Sequence, residues 1–134
     1  MKYIYLPWLI LLFLPSLVSA QSVVERIEHY SAIYGADTLL AINISYAESR
    51  YKNVPNYAYD GENGISTAYG PFQLTRTFYK SFCGNPDERL IVDKNIECAI
   101  KVMALQKNPY LHWIESYEMN GHGWRYLPAQ KLSL

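Results

Sequence analysis

The segment Thr38 to Arg50 reads Thr-Leu-Leu-Ala-Ile-Asn-Ile-Ser-Tyr-Ala-Glu-Ser-Arg and is apolar around most of a helical circumference. A helix of that kind is buried on nearly every side, so the rest of a small chain has to be arranged around it. Asp37 stands where a capping side chain is needed, and the helix is predicted to run through about Arg50. Its last turn carries Glu48. Desolvation at the end of a buried helix favours the neutral form of a carboxyl group, which is the condition a general acid needs near neutral pH. The bland alternatives are a local pairing with Arg50 or Lys52, or a side chain turned to solvent.

The remaining chain sets the size of what can surround this helix. At 134 residues a single domain is the expectation, and 50% hydrophobic with 15% aromatic residues is too apolar for a disordered chain. Twelve Lys+Arg against 12 Asp+Glu leave no basic excess with which to grip nucleic acid. Residues 1–20 read as a signal peptide: Lys2, a long apolar run, and the small-x-small end Val18-Ser19-Ala20. The run is short for a membrane span and contains Pro7 and Pro15, so stable membrane insertion after cleavage is not expected. The domain is then 21–134, with acidic residues one ahead once Lys2 is removed. In an oxidising compartment Cys83 and Cys98, the only two cysteines, are expected to pair; two free buried thiols or a metal site are the alternatives. His29, His112 and His122 have no metal-ligand spacing, so neither a metal nor another cofactor is expected.

Further elements follow from local signals. Ser22-Val23-Val24-Glu25 has the form of a capping box, Ile27, Tyr30 and Tyr34 continue at helical spacing, and Gly35 is a natural stop. From Tyr51 to Gly70 the periodicity disappears among turn residues, and a loop of this length in a small domain is usually functional. Helical character returns at Thr75–Phe82. Asp93 is a candidate cap for a helix with a core face of Ile96, Ala99, Ile100 and Met103, and Asn108-Pro109 is a helix start. Tyr30, Tyr34, Tyr46, Tyr110 and Trp113 sit at helical spacing and are expected in the core.

Glu48-Ser49 is followed, after the polar loop, by Ala68-Tyr69-Gly70-Pro71-Phe72-Gln73, and later by Asn95-Ile96 at the head of an apolar helix. This pattern resembles the lytic transglycosylases of the SLT type, in the lysozyme superfamily. Those enzymes have Glu-Ser at the end of a buried helix, a Gly-Ala-x-Gly-Leu-Met-Gln loop, and a helix with an Asn-Ile start. The resemblance covers 39–75 and 93–105. Thr67 stands for the first Gly and Pro71-Phe72 for Leu-Met, while Ser116-Tyr117-Glu118-Met119-Asn120-Gly121 only echoes the family's Ala-Tyr-Asn-Ala-Gly motif.

The resemblance implies a mainly α, lysozyme-like α+β domain built around a buried catalytic helix, with a small β or loop lobe at 51–74. It implies cleavage of the β-1,4 bond between N-acetylmuramic acid and N-acetylglucosamine in peptidoglycan, with Glu48 as acid and then base and a 1,6-anhydro product. Ser49, Tyr69, Gly70, Gln73 and Tyr117 would line or shape the substrate site, with Gly70 letting the sugar approach closely. Of the 13 Tyr, Tyr51, Tyr57, Tyr59 and Tyr69 cluster between Glu48 and Gln73, where sugar binding would account for them. Asp60 or Glu62 holding a water would instead give a hydrolase like the goose-type lysozymes. A catalytically silent glycan-binding component of an envelope-spanning machine is the alternative outside the enzymes. The location implied is the periplasm or the cell exterior. The partners implied are glycan strands and, by family analogy, a secretion, conjugation or phage apparatus.

Overall fold

The computed structural model of the chain describes residues 19–56 and 66–114. The chain is mainly helical. The described residues form four α-helices, α1 (Ala20–Tyr34), α2 (Thr38–Ser49), α3 (Arg76–Phe82) and α4 (Val92–Leu105), with a 3₁₀ turn at Pro86–Leu90 between α3 and α4 and another at Leu111–Trp113 after α4. Residues 1–18 of the expected signal segment, and Tyr57, Tyr59, Asp60, Glu62 and Tyr117, lie outside the described residues.

α1 starts one turn earlier than its capping-box pattern predicts. The Ser19 hydroxyl accepts from the Ser22 amide at 3.1 Å. Ser22 therefore sits inside the first turn, and its own hydroxyl accepts from the Arg26 guanidinium. The helix stops as expected at Gly35, whose φ of +72° is left-handed and whose amide donates back to the Ser31 carbonyl at 2.9 Å. Val23, Val24 and Ile27 form its buried stripe.

α2 follows after a two-residue break. The Asp37 carboxylate accepts from the Leu40 amide at 3.0 Å, as the sequence predicts. Leu40, Ala41, Ile42, Asn43, Ile44 and Ser45 are consecutive buried residues, so this helix is enclosed on all sides over its middle turns.

α4 packs chiefly along α1. Its core face is the expected one, with Ile96, Ala99, Ile100 and Met103 all buried. Its cap is not. The helix begins at Val92 without a side-chain cap, because Ile91 closes the preceding 3₁₀ turn and opens α4 at once. Asp93 instead turns sideways to the Arg26 guanidinium at 2.6 Å. One turn on, Glu97 accepts from the Tyr34 hydroxyl at 2.7 Å.

α3 is capped by Thr75, whose hydroxyl accepts from the Phe78 amide at 3.1 Å. Cys83, at its end, is disulfide-bonded to Cys98 on α4, with Cα atoms 5.9 Å apart. Of the lobe expected at 51–74, residues 51–56 and 66–74 are described, and they form two isolated antiparallel bridges, Pro55–Tyr69 and Tyr69–Leu74. After Asn108-Pro109 the chain makes a turn and the 3₁₀ segment Leu111–Trp113. Trp113 is buried as expected, while Tyr30, Tyr34, Tyr46 and Tyr110 are only partly buried against the core. Tyr51, grouped by sequence with the loop tyrosines, is a core residue at 4% exposure. No helix among the described residues is long and apolar enough to cross a membrane.

Breaking the disulfide by Cys98→Ser should cost about 3 kcal/mol, the chain-entropy value for a loop of about 15 residues, measured by urea denaturation with the reduced wild type as control. A second outcome concerns alkaline pH. Burial first, then the nearby Glu88 and Glu97 carboxylates, push the Tyr79 phenol up from 10.0 to about 12. The folded state thus holds this proton more tightly than the unfolded chain. The stabilisation is complete below about pH 10 and is lost as pH rises toward about 12. Tyr79→Phe should flatten that decline in unfolding free energy.

Candidate functional site

Glu48 is half-buried on the last turn of α2. It stands one residue before Ser49 and three after Ser45, roughly 60–100° around the helix from the face these two share. That face is fastened to the turn Gly70–Gln73. The hydroxyls of Ser45 and Ser49 both donate to the Pro71 carbonyl, at 3.0 and 2.9 Å. Ser49 also accepts from the Lys52 amide at 3.1 Å, closing the helix end. The Ser49 hydroxyl is thereby committed to the protein rather than open to a substrate.

The turn is held from every other side as well. Tyr69 and Leu74 exchange backbone hydrogen bonds across its mouth, at 3.1 and 3.0 Å. The Gly70 amide donates to the Val54 carbonyl, and the Asn56 amide to that of Ala68, both at 2.9 Å. The Gln73 side-chain amide, expected to bind substrate, donates to the carbonyls of Val54 and Gly70, each at 3.0 Å. From outside the turn, Arg89 Nε donates to the Thr67 carbonyl at 3.1 Å. Trp113 Nε1 donates to that of Phe72 at 3.0 Å. Asn95 accepts from the Phe72 amide at 3.1 Å and donates to the Tyr69 carbonyl at 2.8 Å.

The Pro71-Phe72 pair suits this setting. Pro71 has no amide hydrogen to satisfy in a buried turn. Phe72 is fully buried and meets the Trp113 ring edge-on, centroids 6.1 Å apart. Gly70 has a φ of +84°, and a Cβ added there would lie 2.4 Å from Asn95 Nδ2. The room left by the missing side chain is occupied by the Asn95 amide, where sequence reasoning gave it to the sugar. Tyr69 is half-buried beside the turn.

Three non-glycine residues among those described have positive φ: Arg50 (56°), Tyr51 (63°) and Gln73 (49°). Two directly follow Glu48-Ser49 and the third closes the clasped turn, so all the left-handed side-chain-bearing residues lie at one junction. Such conformations cost of order 1–3 kcal/mol each and gather at functional sites. The Arg50 guanidinium lies 4.2 Å from the centre of the Tyr46 ring, whose other neighbour is Tyr51 at 5.4 Å. Arg89 is buried, and its pKa is lowered by that burial first and by Arg76 next. On the outer side of the turn, Gln73, Leu74, Thr75, Phe78, His112 and Trp113 line a cavity of about 160 Å³. Among the described residues no group of three or more His, Cys, Asp or Glu is placed to hold a metal ion.

Sequence reasoning located the junction but missed most of its clasps. Ser45, Arg89 and Trp113 gave no sign beyond a hydroxyl on a buried helix, a basic residue in a turn and an aromatic at core spacing. Ser49→Ala should destabilise the protein by about 1–3 kcal/mol, since it removes the buried hydroxyl that donates to the Pro71 carbonyl and takes one acceptor from the Lys52 amide. Ser45→Ala should cost less, because Ser49 still serves Pro71. The double variant should exceed the sum of the singles, as read by urea denaturation.

Compared with known proteins, the chain matches no family model, no curated protein and no solved structure.

Proposed function

We propose that the chain is an exported peptidoglycan-cleaving enzyme, a lytic transglycosylase with a lysozyme-like fold, in which Glu48 is the single acid/base. The observation that carries this is the position of Glu48. It is a half-buried carboxylate at the end of a helix enclosed by the core, beside a turn clasped to that helix by Ser45 and Ser49. A rigidly supported acid is what general acid catalysis at a glycosidic oxygen requires. The left-handed pair Arg50-Tyr51 supports the same location.

In this mechanism Glu48 gives its proton to the bridging oxygen of the glycosidic bond as that bond breaks. The substrate's own acetamido carbonyl stabilises the cationic sugar carbon. The Glu48 carboxylate then takes the proton from the sugar's O6, which bonds to the same carbon and closes the 1,6-anhydro ring. No second carboxylate is needed, in contrast to the usual pair in glycosidases. Tyr69 and Tyr117 are the aromatic candidates to pack on the sugar. Ser49, Gly70 and Gln73 serve this site by holding its wall.

Export through residues 1–20 would place the enzyme in the periplasm or outside the cell. Cleavage after Ala20 falls inside the first turn of α1 and removes the Ser19 cap. Ser22 is then the first side chain of the mature chain suited to cap that helix. The partner is the glycan strand; service to a secretion, conjugation or phage apparatus rests on family analogy.

Glu48→Gln should reduce release of muropeptides from purified sacculi by about 10²–10⁴-fold, the usual worth of a general acid. It should leave the melting temperature close to wild type. Anhydro-muropeptides in the mass spectrum support the lytic reaction, and reducing ends would assign a hydrolase. Undiminished cleavage by Glu48→Gln would overturn the role of Glu48. Binding of sacculi by wild type without any product would make the chain a glycan-binding component.

A further inference from the structure

We propose that Asn95 is a positioning residue for the Glu48 site, and that glycine at position 70 serves to admit its amide. This rests on Glu48 being the acid/base. Asn95 lies on the first turns of α4, fully buried, 23 residues along the chain from Phe72. Its side chain is used on both sides. Oδ1 accepts from the Phe72 amide at 3.1 Å, and Nδ2 donates to the carbonyls of Tyr69 at 2.8 Å and Arg89 at 2.9 Å. A primary amide has two N–H donors and a carbonyl acceptor, and here both kinds are spent on backbone. An ionised Asp would offer no donor, and Leu would offer neither group. Burial without these bonds would leave one amide and two carbonyls with fewer partners.

The geometry goes beyond ordinary satisfaction of a buried polar residue. The two turn groups that Asn95 holds, the Tyr69 carbonyl and the Phe72 amide, flank Gly70 and Pro71. The Pro71 carbonyl is the acceptor for Ser45 and Ser49 on the helix that carries Glu48. Asn95 thus reaches the helix that carries Glu48 through two successive sets of hydrogen bonds. The amide lies where a side chain at position 70 would project: an added Cβ would meet Nδ2 at 2.4 Å and Cγ at 2.6 Å. Nothing larger than hydrogen fits while the amide is in place.

The test uses wild type, Gly70→Ala, Asn95→Ala and the double variant, all with the disulfide formed. Assays run below every variant's melting midpoint, and rates are expressed per folded molecule. Asn95→Ala and Gly70→Ala should each lower kcat on sacculi by roughly 10–100-fold, the scale of a misplaced catalytic group, with KM within about twofold. The double variant should be more active than Gly70→Ala, because deleting the Asn95 amide removes the clash.

Amide hydrogen exchange gives a readout independent of catalysis. Exchange at Phe72 should be accelerated in Asn95→Ala more than exchange at the core amides of α2. Losses that multiply in the double variant would assign the defect to backbone strain at position 70 and overturn the lock. Unchanged kcat in folded Asn95→Ala would reduce Asn95 to a purely structural role. Should Glu48→Gln also prove fully active, the catalytic assignment falls, and with it the positioning role. Suppression in melting temperature and the Phe72 exchange rate would then show whether the amide lock alone stands.

Discussion

A buried peptide group that leaves water without finding a partner costs a few kcal/mol, and the turn from Gly70 to Gln73 withdraws several such groups at once. A tight turn cannot pair them all with each other, as a helix or a sheet would. The chain meets the demand with side chains: hydroxyls from α2, an amide from α4 and an indole from Leu111–Trp113, while a guanidinium from the Pro86–Leu90 turn holds the approach at Thr67. The arrangement of the helices around Glu48 follows from where these donors must stand. Hydrophobic burial supplies the driving force, through the enclosed α2 and the stripe of α4 that covers α1. It is non-directional, and it does not by itself fix how the turn faces the helix.

How much of this was legible in the sequence depends on the range of the interaction that decides it. α2 was legible at both ends, because its cap, its apolar circumference and its stop lie within the segment. The start of α1 was not. Two serines one turn apart can each cap it, and Ser19 lay within the stretch assigned to the leader. Asp93 has the right residue type in the right place for a cap. Yet α4 issues directly from a 3₁₀ turn, and the carboxylate finds a guanidinium on α1 instead. The two cysteines paired as parity suggested.

The site shows the same division. The spacing of Glu48, Ser49, Gly70 and Gln73 was visible, and the structure brings Ser49, Gly70 and Gln73 to one junction at the end of the helix that carries Glu48. What they do there was not visible, because it depends on partners far along the chain: Trp113 is 41 residues from Phe72, and Asn95 is 26 from Tyr69. A motif of polar and glycine residues beside an acid invites the assumption that each member faces the ligand. Here the serine and the glutamine amide spend their hydrogen bonds on the turn, and the glycine makes room for an asparagine.

The clasps of the turn are contributed from Ser45 at one extreme to Trp113 at the other. No short stretch of chain can therefore close the turn alone, and the loops that must first be shut make it a late event in folding. During synthesis the helix bearing Glu48 emerges long before the indole that completes its surroundings. A growing or truncated chain lacking Trp113 carries the acid without the finished wall beside it. Any activity that needs that wall arises only once Trp113 has joined the chain, a delay in time written into the order of the residues.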